Sequence, residues 1–131
     1  MESDMEQNNT TLEQLIKAAR KEDWSFVDGH INNSHLTGEP INWALSAGLA
    51  HEDQNIRDLA ATLLDRSDEP FNPTDIENLK RIMADDPYHI VRYRVAIALY
   101  KRGSRNPAVE QMMLEAENDP DVGGLASSYL V

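Results

Sequence analysis

The run Asp86-Pro87-Tyr88-His89-Ile90-Val91-Arg92-Tyr93-Arg94-Val95-Ala96-Ile97-Ala98-Leu99-Tyr100 decides the fold. A polar residue followed by proline is a helix-start signal, because a capping oxygen accepts an orphan N–H and proline at the first helical position gives up no hydrogen bond. The stretch from Ile90 to Tyr100 is apolar apart from Arg92 and Arg94, as expected of a helix covered on more than one side. The same landmarks recur along the chain. Asp53, Asp86 and Asp119 lie 33 residues apart, with Asp23 a further 30 upstream. Pro40, Pro73 and Pro107 form one register, and Pro87 with Pro120 a second. Five helix starts on two registers mean two helices per unit. A period of 30 to 35 residues is the mark of a helical repeat array, in which stacking buries what one unit cannot.

Apolar spacing fills in the helices. Ile41, Ala44, Leu45, Gly48 and Leu49 follow the i, i+3, i+4, i+7, i+8 rule of one helix face; Ile76, Leu79, Ile82 and Met83 do so again, as do Val109, Met112, Met113 and Ala116. These are first helices. The second helices are Ile56–Leu64, Val91–Leu99 and Val122–Leu130. A fainter unit precedes them: Thr11 and Gln14 form a capping box over Leu12, Leu15, Ile16 and Ala19, and Asp23 caps a stretch holding Trp24, Val27 and Ile31. The expectation is an acidic disordered tail over 1–9 and a single domain over 10–131, with repeats at 10–35, 39–67, 72–103 and 106–131.

Asp86-Pro87 leading to Val91-Arg92 and Val95-Ala96-Ile97-Ala98-Leu99 resembles the repeat of HEAT-like proteins, in particular the short bacterial type found in phycobilisome lyase subunits. Ile56-Arg57 with Ala60-Ala61 and Leu64 is similar, and the last unit keeps Asp119-Pro120-Asp121-Val122 but has Gly123 in place of the arginine. The resemblance covers about residues 39–131. It implies an all-α, right-handed α-solenoid of about four antiparallel helix pairs, whose second helices line a concave surface that binds macromolecules. In such a stack an Asp at the turn can cap its own helix and also accept from an arginine of an adjacent repeat. Asp53, Arg57, Asp86, Arg92 and Asp119 are the candidates for that structural ladder. Asp53 precedes Arg57 by four residues and Asp86 precedes Arg92 by six, so one turn carries two extra residues, near Tyr88 and His89.

Composition narrows the function classes. The 131 residues carry 12 Lys+Arg against 23 Asp+Glu, net −11, and no cysteine, which removes disulfides and thiolate metal sites. No apolar run approaches the roughly 20 residues of a membrane span, and the start is acidic where a secretory signal is basic and then apolar, so a cytoplasmic protein without membrane association is expected. The negative balance disfavours nucleic acid. Charge is nevertheless uneven: Lys80 to Arg105 holds seven basic and two acidic residues, net +5, and the remainder carries −16.

Catalytic and metal signals are weak. His30, His35, His51 and His89 lack the i, i+4 clamp spacing; His30 with Asp28 and His35 is the nearest approach to a cluster, and no metal or cofactor is expected. Asp85-Asp86, Asp68-Glu69 and Glu115-x-Glu117 read as solvated turn and helix-end acids. Gly123-Gly124 lacks the context of a phosphate loop and suits close approach of another backbone. The expected function is therefore a non-enzymatic protein-interaction module or small adaptor that binds a partner protein on its concave face. One version is an inhibitor or immunity-type antagonist that blocks a basic partner. Tyr88, Tyr93, Arg94, Lys101, Arg102 and Arg105 are the candidate contacts. Leu125, Tyr129, Leu130 and Val131 end the chain without a polar capping repeat, which makes a homodimer through this end the self-association alternative. The resemblance also offers a subunit of a bilin lyase or isomerase as an alternative function.

Overall fold

A computed structural model describes residues 12–31 and 38–130. The expected tail over 1–9, the Thr11 cap, the end of the first repeat near His35, and Val131 lie outside the described residues. The chain is all-helical: α1 (Leu12–Arg20), α2 (Trp24–Ile31), α3 (Glu39–Ser46), a 3₁₀ turn (Gly48–Ala50), α4 (Gln54–Arg66), α5 (Pro73–Asp85), α6 (His89–Lys101), α7 (Pro107–Glu117) and α8 (Gly123–Leu130). There is no strand among the described residues. None of their helices is long and apolar enough to cross a membrane.

The turn chemistry explains where the helices begin. Pro73 and Pro107 open α5 and α7, with Asn72 Oδ1 accepting from Asp75 N–H at 2.8 Å and Asn106 Oδ1 from Val109 N–H at 2.9 Å. The periodic aspartates act at the other set of turns. Asp23 accepts from Phe26 N–H (3.3 Å), Asp53 from Asn55 N–H (2.8 Å), Asp86 from Tyr88 N–H (2.9 Å), and Asp119 from Asp121 and Val122 N–H (2.7 and 3.1 Å). Pro87 and Pro120 do not open helices, contrary to the sequence reading. Each sits inside the turn that its aspartate closes, and α6 and α8 start two and three residues later.

α4 and α6 form the centre. α6 packs on α4, α5, α7 and α8, while α4 packs on α1, α3, the 3₁₀ turn and α6. With neighbours on most sides, α4 buries nine of its 13 residues and α6 eight of its 13. Ile56, Leu59, Leu63, Leu64, Ile97 and Leu99 are fully buried; truncating any one to alanine is expected to cost about 2–5 kcal/mol. The flanking helices bury a single stripe, Leu79 and Met83 on α5 and Val109, Met113 and Ala116 on α7.

Two glycines permit close approach. A Cβ on Gly48 would lie 2.7 Å from the Ala60 Cβ and 2.9 Å from the Trp43 ring, so α3 ends at Ser46 and the chain tightens into the 3₁₀ turn against α4. The single helix face expected through Gly48 and Leu49 is thus split in two. A Cβ on Gly123 would lie 2.6 Å from the Glu117 carbonyl oxygen, whereas one on Gly124 would meet nothing within 4 Å. Only the first of that pair serves the turn between α7 and α8.

Candidate functional site

Two charged residues interrupt the buried face of α4, Asp58 and Asp65, seven positions and so about two helical turns apart. α6 places Arg94 between them: Nε donates to Asp58 Oδ1 at 2.9 Å and Nη1 to Asp65 Oδ2 at 3.0 Å. Asp58 Oδ1 also accepts from the Thr62 hydroxyl at 3.3 Å. One guanidinium therefore bridges the two carboxylates of the trio. Burial pulls the Arg94 guanidinium down, but the adjacent Asp65 and Asp58 charges more than offset it and its pKa is raised. Burial raises both acids in spite of Arg94, Asp65 to about 6. The Asp65 side chain is wholly buried, and its Oδ1 has no hydrogen bond, Arg66 Nε standing 3.7 Å away.

A cavity of about 270 Å³ opens above this trio. α2 contributes Trp24 and Asp28, α4 contributes Asp58, and α6 with its preceding turn contributes Tyr88, Ile90 and Arg94. Asp121, in the turn before α8, completes the lining. All four helix pairs thus reach one groove. Asp28 and Asp121 are exposed and have no cationic partner among the described residues. The Tyr88 phenol is raised by its partial burial and then by the charges of Asp58 and Asp121, which shows how the carboxylates converge on this ring.

The positive residues expected to accent a contact surface are instead drawn inward. Arg94 is spent on Asp58 and Asp65. Arg102 binds four carbonyls: Nε to Glu69 O (2.7 Å), Nη1 to Leu64 O (3.1 Å) and Ala98 O (2.9 Å), Nη2 to Ser67 O (2.7 Å). Its guanidinium lies 3.8 Å from the Phe71 ring centroid, and burial lowers its pKa to about 10. Lys101 Nζ donates to Asp65 O at 3.2 Å and sits 3.0 Å from Asp68, whose carboxyl it holds below the usual range. These two residues close the C-terminal end of α4, where unpaired carbonyls need donors. Phe71, Ile76 and Asp68 complete a cleft of about 310 Å³ around them. Arg105 alone of the four is exposed, over the Tyr100 ring at 4.2 Å.

The ladder has one arginine rung. Arg57 grips Asp86 with Nε at 2.9 Å and Nη2 at 3.3 Å, and its Nη1 holds the His51 and Glu52 carbonyls. Arg92 does not extend the ladder to Asp119; its Nη1 turns back to Asp86 O at 2.7 Å. His89 Nε2 approaches Asp119 Oδ2 instead, at 3.5 Å, and the His89 ring meets Tyr88 and Tyr93 edge-on. Asp53 caps its helix, its side chain accepting from Asn55 N–H, and no arginine among the described residues bonds it.

Of the six candidate contacts, only Tyr88 and Arg94 reach the groove. Asp28, Asp58 and Asp121 are not among the contacts that the sequence suggests, and Trp24 is there only one of several aromatic anchors to weigh. The usable signal was Asp58 and Asp65 inside an otherwise buried helix, since buried acids must find a cation. Among the described residues no three His, Asp or Glu side chains converge so as to hold a metal ion. No protein-family model, curated protein or solved structure matches the chain.

Proposed function

We propose that the chain is a HEAT-like α-solenoid of four antiparallel helix pairs, wound right-handed, and that it acts as a non-enzymatic module docking a basic partner protein on its concave face. The carrying observation is the groove to which all four pairs contribute, with three carboxylates, two aromatic rings and one arginine already committed to its own acids. The packing order supports the architecture in the last three pairs, where α4, α6 and α8 contact one another in succession and α3, α5 and α7 each flank a second helix, while the first pair joins α4 chiefly through α1. Charge supports the partner class. Net −11 over the chain favours encounter with a basic surface, and the groove concentrates that field between low-dielectric walls. The basic version of the contact surface loses its support because Arg94, Lys101 and Arg102 are bonded within the protein. Nucleic acid loses it for the same reason.

The test is capture from lysate of the source cell with three baits: the wild type, Asp28→Lys/Asp121→Lys, and Arg105→Ala. A stoichiometric basic protein held by the wild type and by Arg105→Ala, and lost on charge reversal, is the expected result. A partner held equally by all three baits would overturn the groove as the docking face.

A further inference from the structure

The chemistry of the groove's cavity selects what can enter it. At about 270 Å³ it falls below the roughly 300–1,000 Å³ of sites that enclose whole small ligands, so it suits one side chain of a larger partner. Its walls are mixed in kind. Trp24 and Tyr88 contribute aromatic rings, Ile90 is buried, and Asp28 and Asp121 are exposed and have no cationic partner among the described residues.

The floor is more selective still. The Asp58 side chain is only 9% exposed, yet it lines the cavity. Its Oδ1 receives both Arg94 and Thr62, while no hydrogen bond reaches its second oxygen. That second oxygen is not enclosed, Asp65 Oδ1 being the buried unbonded one, so water or a group entering the groove can reach it. Carboxylates also outnumber cations in the lining, where Asp28, Asp58 and Asp121 stand with Arg94 alone and Arg94 is shared with Asp65. A cation arriving from the groove would meet the open oxygen and offset that excess of negative charge.

We propose, resting on the docking function above, that the cavity is a receptor slot for an arginine side chain of the partner protein, stacked on Trp24 or Tyr88 and bonded to Asp58 and a rim carboxylate. Arginine is favoured over lysine on three counts. A planar guanidinium stacks on aromatic faces, it offers several donors to carboxylates placed on different sides, and it sheds water more readily than an ammonium. The chain uses the same device internally, with Arg102 stacked on Phe71 while donating to four carbonyls. Charge complementarity fixes the occupant as cationic, and the rings with the divided carboxylates fix it as guanidinium.

The test titrates acetyl-Gly-Arg-Gly-amide into the ¹⁵N-labelled full chain at low salt, alongside the lysine and citrulline versions and spermidine. The expected result is saturable shifts of the Trp24 indole N–H and of the Tyr88 and Asp121 amides with the arginine peptide. The lysine peptide should bind at least fivefold more weakly, spermidine no more tightly than lysine, and citrulline not at all. Asp28→Asn/Asp121→Asn should weaken the arginine peptide at least tenfold with the unfolding midpoint unchanged, both residues being exposed. Equal binding of lysine and arginine, binding of citrulline, tighter binding of spermidine, or shifts confined to other surfaces would overturn the slot. The slot and the docking function fail separately. Peptide failure with a partner still released by charge reversal removes only the arginine slot, whereas a seated peptide with a partner indifferent to charge reversal removes only the docking function.

Discussion

The two ends of α6 treat charge in opposite ways. At its C-terminal end Lys101 and Arg102 meet the carbonyls that finish α4, and every donor distance named there lies between 2.7 and 3.2 Å. In its N-terminal half Arg94 bridges the buried Asp58 and Asp65, and Asp28 and Asp121 in the same groove have no cationic partner among the described residues. The first end behaves as a clamp between helix pairs, complete in itself. The second is electrostatically incomplete, and incompleteness of that kind is what a binding surface presents before its partner arrives. A basic segment in the sequence therefore became the structural end, and the acidic end became the candidate site.

The strongest way to break this comparison is to remove the cation at the incomplete end. Arg94→Leu leaves Asp58 without a cation and Asp65 with only Arg66 at 3.7 Å, and urea unfolding at pH 7 should show a loss of about 3–5 kcal/mol. The loss should shrink as pH falls and the two acids take up protons. An Arg94→Leu protein as stable as the wild type at pH 7 would mean that Arg94 does not hold the trio together.

The second test sharpens the same end through pH. Asp65 titrates at about 6 in the folded chain against 3.8 when unperturbed. Between those values the folded state holds a proton that the unfolded state has released, so stability falls as pH rises through the window and levels off above it. The contribution is about 3 kcal/mol, the size of a two-unit shift in a fully buried group. Asp58 is shifted the same way and adds to the slope. Asp65→Asn keeps an acceptor for Arg94 and should flatten the profile between pH 4 and 6; an unchanged slope would assign it elsewhere.

The third probes the complete end, where the effect is smaller because Arg102 is partly open to water. Arg102→Ala removes three hydrogen bonds to the α4 terminus and its connecting turn, and a fourth to Ala98 O within α6, for a loss of about 2 kcal/mol by thermal or urea melts. Arg102→Lys should restore less than half, since a single ammonium cannot span those carbonyls. Arg105→Ala, at the exposed neighbour, should change stability by no more than about 0.5 kcal/mol. Equal losses at Arg102 and Arg105 would erase the clamp.

The helices and the spacing of their turns were legible in the amino-acid order. Capping and apolar periodicity are local effects: Asn72-Pro73 and Asn106-Pro107 mark helix starts wherever the chain goes, and Asp23, Asp53, Asp86 and Asp119 each close a turn within three residues of themselves. Local rules also misled where two local solutions compete. Pro87 and Pro120 read as helix starts, but an aspartate-closed turn holds them outside the helices. The fate of the charges belonged to tertiary packing alone. Arg94 lies 36 and 29 residues from its two acids, and Trp24 and Asp121 line one cavity although 97 positions separate them. No periodicity encodes such pairs, because partner choice depends on which helix faces meet after packing and on how far each ion is removed from water. Burial turned Arg94 and Arg102 from surface candidates into internal ties, and it left the carboxylates of the groove as the charges still free to act.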